Sequence, residues 1–185
     1  MQQLIFSRHL AVGSRSLRIY SPLLAIIIHM NLPVVICIGS ASVLGDSLGP
    51  MVGDLLRDKY NVRAFVYGGI RQPVNGINYA KYLSHVKEKH KGSFVFAVDA
   101  CVGDSKDIGK VKISTSGVSA GGALNKNLAR AGDIGILGVV AARQSDNLAA
   151  LMNVNYNFVS QMSEGIAKRL AGVLVGIEVL FKLKP

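Results

Sequence analysis

Two aspartates stand where chemistry is easiest to build. Asp99 closes an apolar run in Val98-Asp99-Ala100-Cys101, and Asp46 sits in Gly45-Asp46-Ser47-Leu48-Gly49-Pro50, in the loop after the run 34–38. A carboxylate at the end of a run as apolar as 94–98 is partly desolvated, and two such groups converging on one cleft raise one another's proton affinity. A pair sharing one proton is the basis of general acid–base activation of water at an amide. Each residue also has a plainer use. Asp46 can cap the following helix by accepting from first-turn N–H groups, and Asp99 can cap a turn.

Other chemistries fit less well. The loop 39–45 joins a strand to a helix, as a phosphate cradle does, but Asp46 follows Gly45 where a phosphate loop has Lys. The spacing of Gly39, Gly45 and Gly49 does not match a dinucleotide fingerprint. All four histidines, His9, His29, His85 and His90, precede Asp99 and avoid the loops that follow strands, so no obligatory metal or other cofactor is expected. Cys101 lies two residues past Asp99 without a nearby His, which favours a small buried apolar role over a thiolate nucleophile. The stretch 117–126 is glycine-rich and can bring backbone N–H donors, with Lys126, close to a substrate carbonyl or oxyanion; a plain connecting loop is the simpler use.

The elements that position these groups follow from periodicity. Residues 34–38 form a continuous apolar run between Pro33 and Gly39, the pattern of a strand buried on both faces. Leu48, Met51, Val52, Leu55 and Leu56 recur at helical spacing, with Pro50 in the first turn. A strand over 62–66, a helix carrying Tyr79, Leu83 and Val86, and a buried strand over 94–98 that stops at Asp99 come next. Further strands are expected over 111–114 and 134–140, and Met162, Ile166, Leu170, Val173, Ile177 and Leu180 mark a long closing helix from Phe158. Strands alternating with helices predict an α/β fold with a mostly parallel central sheet covered on both faces. In such folds the working crevice lies beyond the carboxyl ends of the strands, here near Gly39, Val98 and Val140.

The chain of 185 residues is 50% hydrophobic and 17% charged, enough for one domain with a real core. Two cysteines exclude a disulfide framework or a four-thiolate zinc site. The formal net charge of +10 raises nucleic acid as a partner, but the basic residues are scattered and aromatics make up only 6%, without Trp, so direct nucleic-acid recognition is not expected. Residues 1–30 carry Arg8, Arg15 and Arg18 before an apolar run, 19–28, that Pro22 interrupts. The run is too short to span a membrane and lacks a small-x-small cleavage pattern. An N-terminal helix packed on the domain, a removable pro-segment and an upstream extension all remain open for it, with 31–185 as the folded domain.

Four ordered motifs resemble the YyaC-type sporulation proteins: Cys37-Ile38-Gly39, Gly45-Asp46-Ser47-Leu48-Gly49-Pro50, Val98-Asp99-Ala100-Cys101-Val102-Gly103, and Gly121-Gly122-Ala123-Leu124-Asn125-Lys126 with Gly132-Asp133-Ile134. The likeness runs over 33–140 and extends, more distantly, to the spore germination protease and the hydrogenase maturation endopeptidases. It implies a three-layer α/β/α sandwich and a peptidase-like domain over 31–185. By the same resemblance Asp46 and Asp99 fall on the germination protease's proposed catalytic pair. Gly45, Ser47, Gly121, Gly122, Asn125 and Lys126 become the expected substrate contacts, and the setting is the cytoplasm of a spore-forming bacterium. The implied partner is a protein or peptide, for instance an acidic spore protein. The later histidine that joins the two acids around nickel in the maturation enzymes is missing, the loop 40–44 lacks a Thr-Asp-Arg-like start, and Ala120 replaces a proline. An aspartate-dependent endopeptidase is the leading expectation. The alternatives are a non-catalytic sporulation or scaffold protein that kept the fold, and a metal-dependent maturation endopeptidase that would retain nickel or zinc.

Overall fold

The computed structural model describes residues 31–119 and 129–182. The run after Asn31 becomes β1 (Asn31–Cys37), and a 3₁₀ turn (Gly45–Ser47) leads into α1 (Leu48–Asp54), which ends in a π-helical turn (Leu55–Lys59). Then follow β2 (Phe65–Tyr67), α2 (Tyr79–Lys89) and β3 (Ser93–Gly103). The chain continues through β4 (Val111–Ser114), β5 (Val118–Ser119), β6 (Arg130–Ala131) and β7 (Ile134–Ala142). Two helices close it, α3 (Asn147–Met152) and α4 (Tyr156–Lys182).

Five strands form one sheet in the order β2-β1-β3-β7-β4, with β2, β1, β3 and β7 parallel and β4 antiparallel on the edge. β5 and β6 make a separate antiparallel pair. Both faces of the sheet are apolar, as buried parallel strands require. On one face Leu48, Val52 and Leu56 of α1 and Val159, Ile166 and Leu174 of α4 pack over Val35, Val98 and Ile136. On the other, Tyr79, Leu83 and Val86 of α2 pack over Val34, Ile36 and Ala97, together with Val118 and Ala131. The molecule is a three-layer α/β/α sandwich with a mostly parallel sheet.

Several element bounds differ from the sequence expectation, each for a local reason. β3 does not stop at Asp99 but runs four residues further, pairing with β7 as far as Gly103 and Ala142. β2 starts at Phe65 rather than Val62, because the Val62 N–H is taken by the Leu56 carbonyl at 3.1 Å and so belongs to the helix end. α3, with six residues, is too short to show a period and was not expected; Asp146 caps it by accepting from the Ala149 N–H at 3.0 Å.

Candidate active site

The order of the strands creates the crevice. From β1 the chain passes through α1 to β2 on one side, then returns through α2 to β3 on the other side of β1. From its carboxyl end β1 leads away toward β2, whereas β3 leads away toward β4 and β7 on the opposite side, so the exits of these two neighbouring strands diverge and leave a gap at the switch point. Asp46 follows β1 and Asp99 lies in β3, so the two acids flank this gap.

The approach of α1 to β1 is set by backbone. Gly39 has φ +144°, and a Cβ there would stand 1.9 Å from the Asp46 carbonyl oxygen. A Cβ on Gly49 would stand 2.0 Å from the Ile38 carbonyl oxygen. Only glycine fits at either position. The turn holding Asp46 is therefore pressed against the end of β1.

Asp99 is 5% exposed. Its Oδ1 accepts from the Ala100 N–H at 2.8 Å, and no ion pair reaches it among the described residues. Burial, and then the charge of Asp46, push its proton affinity well above the usual carboxylate range, against the pull of that N–H. Asp46 is half-buried and also raised by burial, with the Ser40 N–H pulling it back. Of the two carboxyls, Asp99 is the more strongly raised. Tyr79, whose hydroxyl donates to the Ala129 carbonyl at 2.6 Å, is pushed up to about 12 by burial and then by Asp99, so it stays protonated.

Beside Asp99 lies a cavity of about 260 Å³ whose walls include Cys101, Ser114, Ser119, Arg130 and Arg143. Cys101 shares the face of Asp99, as residues i and i+2 of a strand must. Its thiol is raised by burial and by Asp99, with Lys112 and Arg143 opposing, so it is a poor nucleophile at neutral pH. Arg130 is held by Ser116, donating from Nε to the carbonyl at 2.8 Å and from Nη2 to Oγ at 3.0 Å. Neither arginine was singled out in the sequence. Arg143 follows β7 directly, so the rule that chemistry gathers past strand ends was the signal available for it.

The other expected contacts divide. Gly45 is buried, and a Cβ there would meet the Leu151 carbonyl oxygen at 2.9 Å. Ser47 is 4% exposed, and its hydroxyl donates to the Leu44 carbonyl at 2.6 Å. Both face inward and neither lines the cavity beside Asp99. Gly121, Gly122, Asn125 and Lys126 lie outside the described residues. His90 sits at the far end of the sheet, three residues before β3 begins, where its Nε2 meets the Tyr67 hydroxyl at 2.6 Å and its ring lies 4.2 Å from Phe65. Asp99 is six residues up β3 from Ser93, roughly 20 Å at about 3.3 Å per residue.

The family model described as a protein of unknown function, DUF1256, matches residues 14–169. The chain belongs to the DUF1256 family. The DUF1256 chain is 36% identical over 138 residues to a Bacillus subtilis (strain 168) protein described as uncharacterized, YyaC, covering 75% of this chain and 67% of that one. Among solved structures it resembles the [NiFe] hydrogenase maturation protease HycI of Thermococcus kodakarensis KOD1, with TM-score 0.55, 15% identity and coverage of 83% and 98% of the two chains. It also resembles a peptidyl-tRNA hydrolase, with TM-score 0.51, 11% identity and coverage of 83% and 91%. Both likenesses are of fold. The DUF1256 chain gathers no group of three His, Cys, Asp or Glu fit to hold a metal among its described residues. Among the described residues the two carboxylates gather no imidazole beside them, which makes them a poor site for a transition metal.

Proposed function

We propose that this chain is a peptide-bond hydrolase in which Asp46 and Asp99 work as one acid–base pair. The observation that supports the reading best is the buried Asp99, raised by its surroundings and by the charge of Asp46, at the switch-point crevice. Asp46 as carboxylate takes a proton from the attacking water while protonated Asp99 gives its own to the amide carbonyl oxygen. The tetrahedral species then collapses: Asp46 passes its proton to the leaving nitrogen, and the hydroxyl proton returns to Asp99. The net change is one water added across the C–N bond, with both aspartates restored.

The fold shared with a maturation protease agrees with a peptide or protein substrate, and the net charge of +10 favours an acidic one. Acidic spore proteins in the cytoplasm of the sporulating cell are the substrates this reading singles out. Incubation of the purified chain with an acid-soluble spore-protein extract, read by mass spectrometry, should yield discrete fragments. Asp46→Asn and Asp99→Asn should each slow their appearance by about 10²-fold or more. Cleavage at the wild-type rate in either variant overturns the pair, and an extract left intact by the wild-type chain transfers the weight to a non-catalytic scaffold role.

A further inference from the structure

Among the described residues the outer strand of the sheet is paired on one side only. β4 ends the strand order, and among the described residues no strand pairs with its outer edge. The Val139 N–H donates to the Lys110 carbonyl at 3.0 Å, and hydrogen-bonded pairs recur at every second residue of an antiparallel ladder. Lys112 and Ser114 therefore turn their backbone to β7, while the N–H and C=O of Val111 and Ile113 turn outward. Such an edge is a template for one more strand.

The two faces of β4 differ in chemistry. Val111 and Ile113, 42% and 64% exposed, line an apolar groove of about 510 Å³ together with Phe96, Ile136, Leu170 and Val173. The opposite face is cationic. Lys110 and Lys112 share the single carboxylate of Asp107, at 2.9 and 3.0 Å. Arg130 and Arg143 stand over the cavity that Ser114 walls, with no carboxylate partner among the described residues. A second copy of the chain added here would set these lysines against their own counterparts, which is unfavourable across a strand pair. An acidic strand meets opposite charge instead.

We propose that the free edge of β4 docks an extended polypeptide segment as a sixth strand, with alternate residues apolar toward the groove and acidic toward the lysines and arginines. Side chains of a strand alternate between faces, so one segment can satisfy both chemistries at once. The docking rests on the edge and its two faces and does not require that the aspartates cleave anything. Ser114 belongs both to β4 and to the cavity beside Asp99, so a docked segment lies alongside that cavity.

The probe is a fluorescein-labelled Val-Glu-Val-Glu-Val-Thr amide, titrated with the full chain and read by anisotropy. The wild-type chain is expected to bind it, and Asp46→Asn, whose side chain does not line the cavity beside β4, is expected to bind it equally, which separates docking from cleavage. Ile113→Asp and Lys112→Glu, both at exposed positions, should weaken binding by about tenfold or more with unchanged circular dichroism. A peptide with Lys in place of Glu should bind at least about tenfold more weakly. N-methylation of alternate amides, tested in both registers, should abolish binding in one register, the one whose N–H groups face β4. No binding by the wild-type chain, equal binding of the lysine peptide, or indifference to N-methylation in both registers overturns the proposal.

Discussion

Asp99 is a buried acid with, among the described residues, one hydrogen bond, from Ala100, and the charge of Asp46 for company. Its proton affinity is higher folded than unfolded, so the folded chain binds that proton more tightly. The associated stability is fully present below the ordinary aspartate range and is lost as pH rises through the raised value. At neutral pH the wild-type chain therefore carries a cost that an uncharged side chain does not. Asp99→Asn is expected to melt higher than wild type at pH 7, by about 2–4 °C for each kcal/mol removed. The gap should close as pH falls toward 4. Thermal melts of both chains across pH 4–8 check this, and a wild-type chain that melts higher at pH 7 would contradict the assignment. The buried acid was legible in sequence as a charge ending an apolar run. Arg143 and Arg130 were not, because their place at the cavity depends on how β6 and β7 bring distant segments beside β3.

At the scale of elements, the sequence carried the strands and long helices well and their ends poorly. Residues 34–38 could be read because burial on both faces leaves no polar interruption. The end of β3 lies past the expected one because Asp99 looks like a boundary in sequence, whereas a carboxyl whose proton affinity burial raises is tolerated inside a buried strand. α1 illustrates what periodicity alone cannot show. The spacing of Leu48, Val52 and Leu56 gives the face that packs on the sheet, but the closeness of that packing is written in Gly49, whose absent Cβ leaves room for the Ile38 carbonyl. Gly49→Ala should destabilise the fold by about 3 kcal/mol. Gly176, exposed on α4 with nothing near its missing Cβ, should behave oppositely, and Gly176→Ala should stabilise by about 0.8 kcal/mol. Urea denaturation of the two variants reads both signs.

The molecule as a whole is tied together by strands common to both apolar layers. Val35 and Cys37 of β1 face α1 and α4, while Val34 and Ile36 face α2, and β3 divides its residues in the same way. Neither layer can lose β1 or β3 without opening the other. Residues 31–182 are therefore expected to unfold in one transition, with far-ultraviolet circular dichroism and tyrosine fluorescence giving superimposable curves. Two separated midpoints would show layers that melt independently. Alternation of strands and helices made this architecture legible from sequence, and the structural likenesses at 15% and 11% identity agree with it. Among the described residues no helix is long and apolar enough to cross a membrane. The clasp between α1 and β1 also bears on binding thermodynamics. Because Gly39 and Gly49 bring main chain against main chain, that wall of the crevice has few side-chain rotamers to freeze, and a ligand settling against it should pay little conformational entropy to the protein.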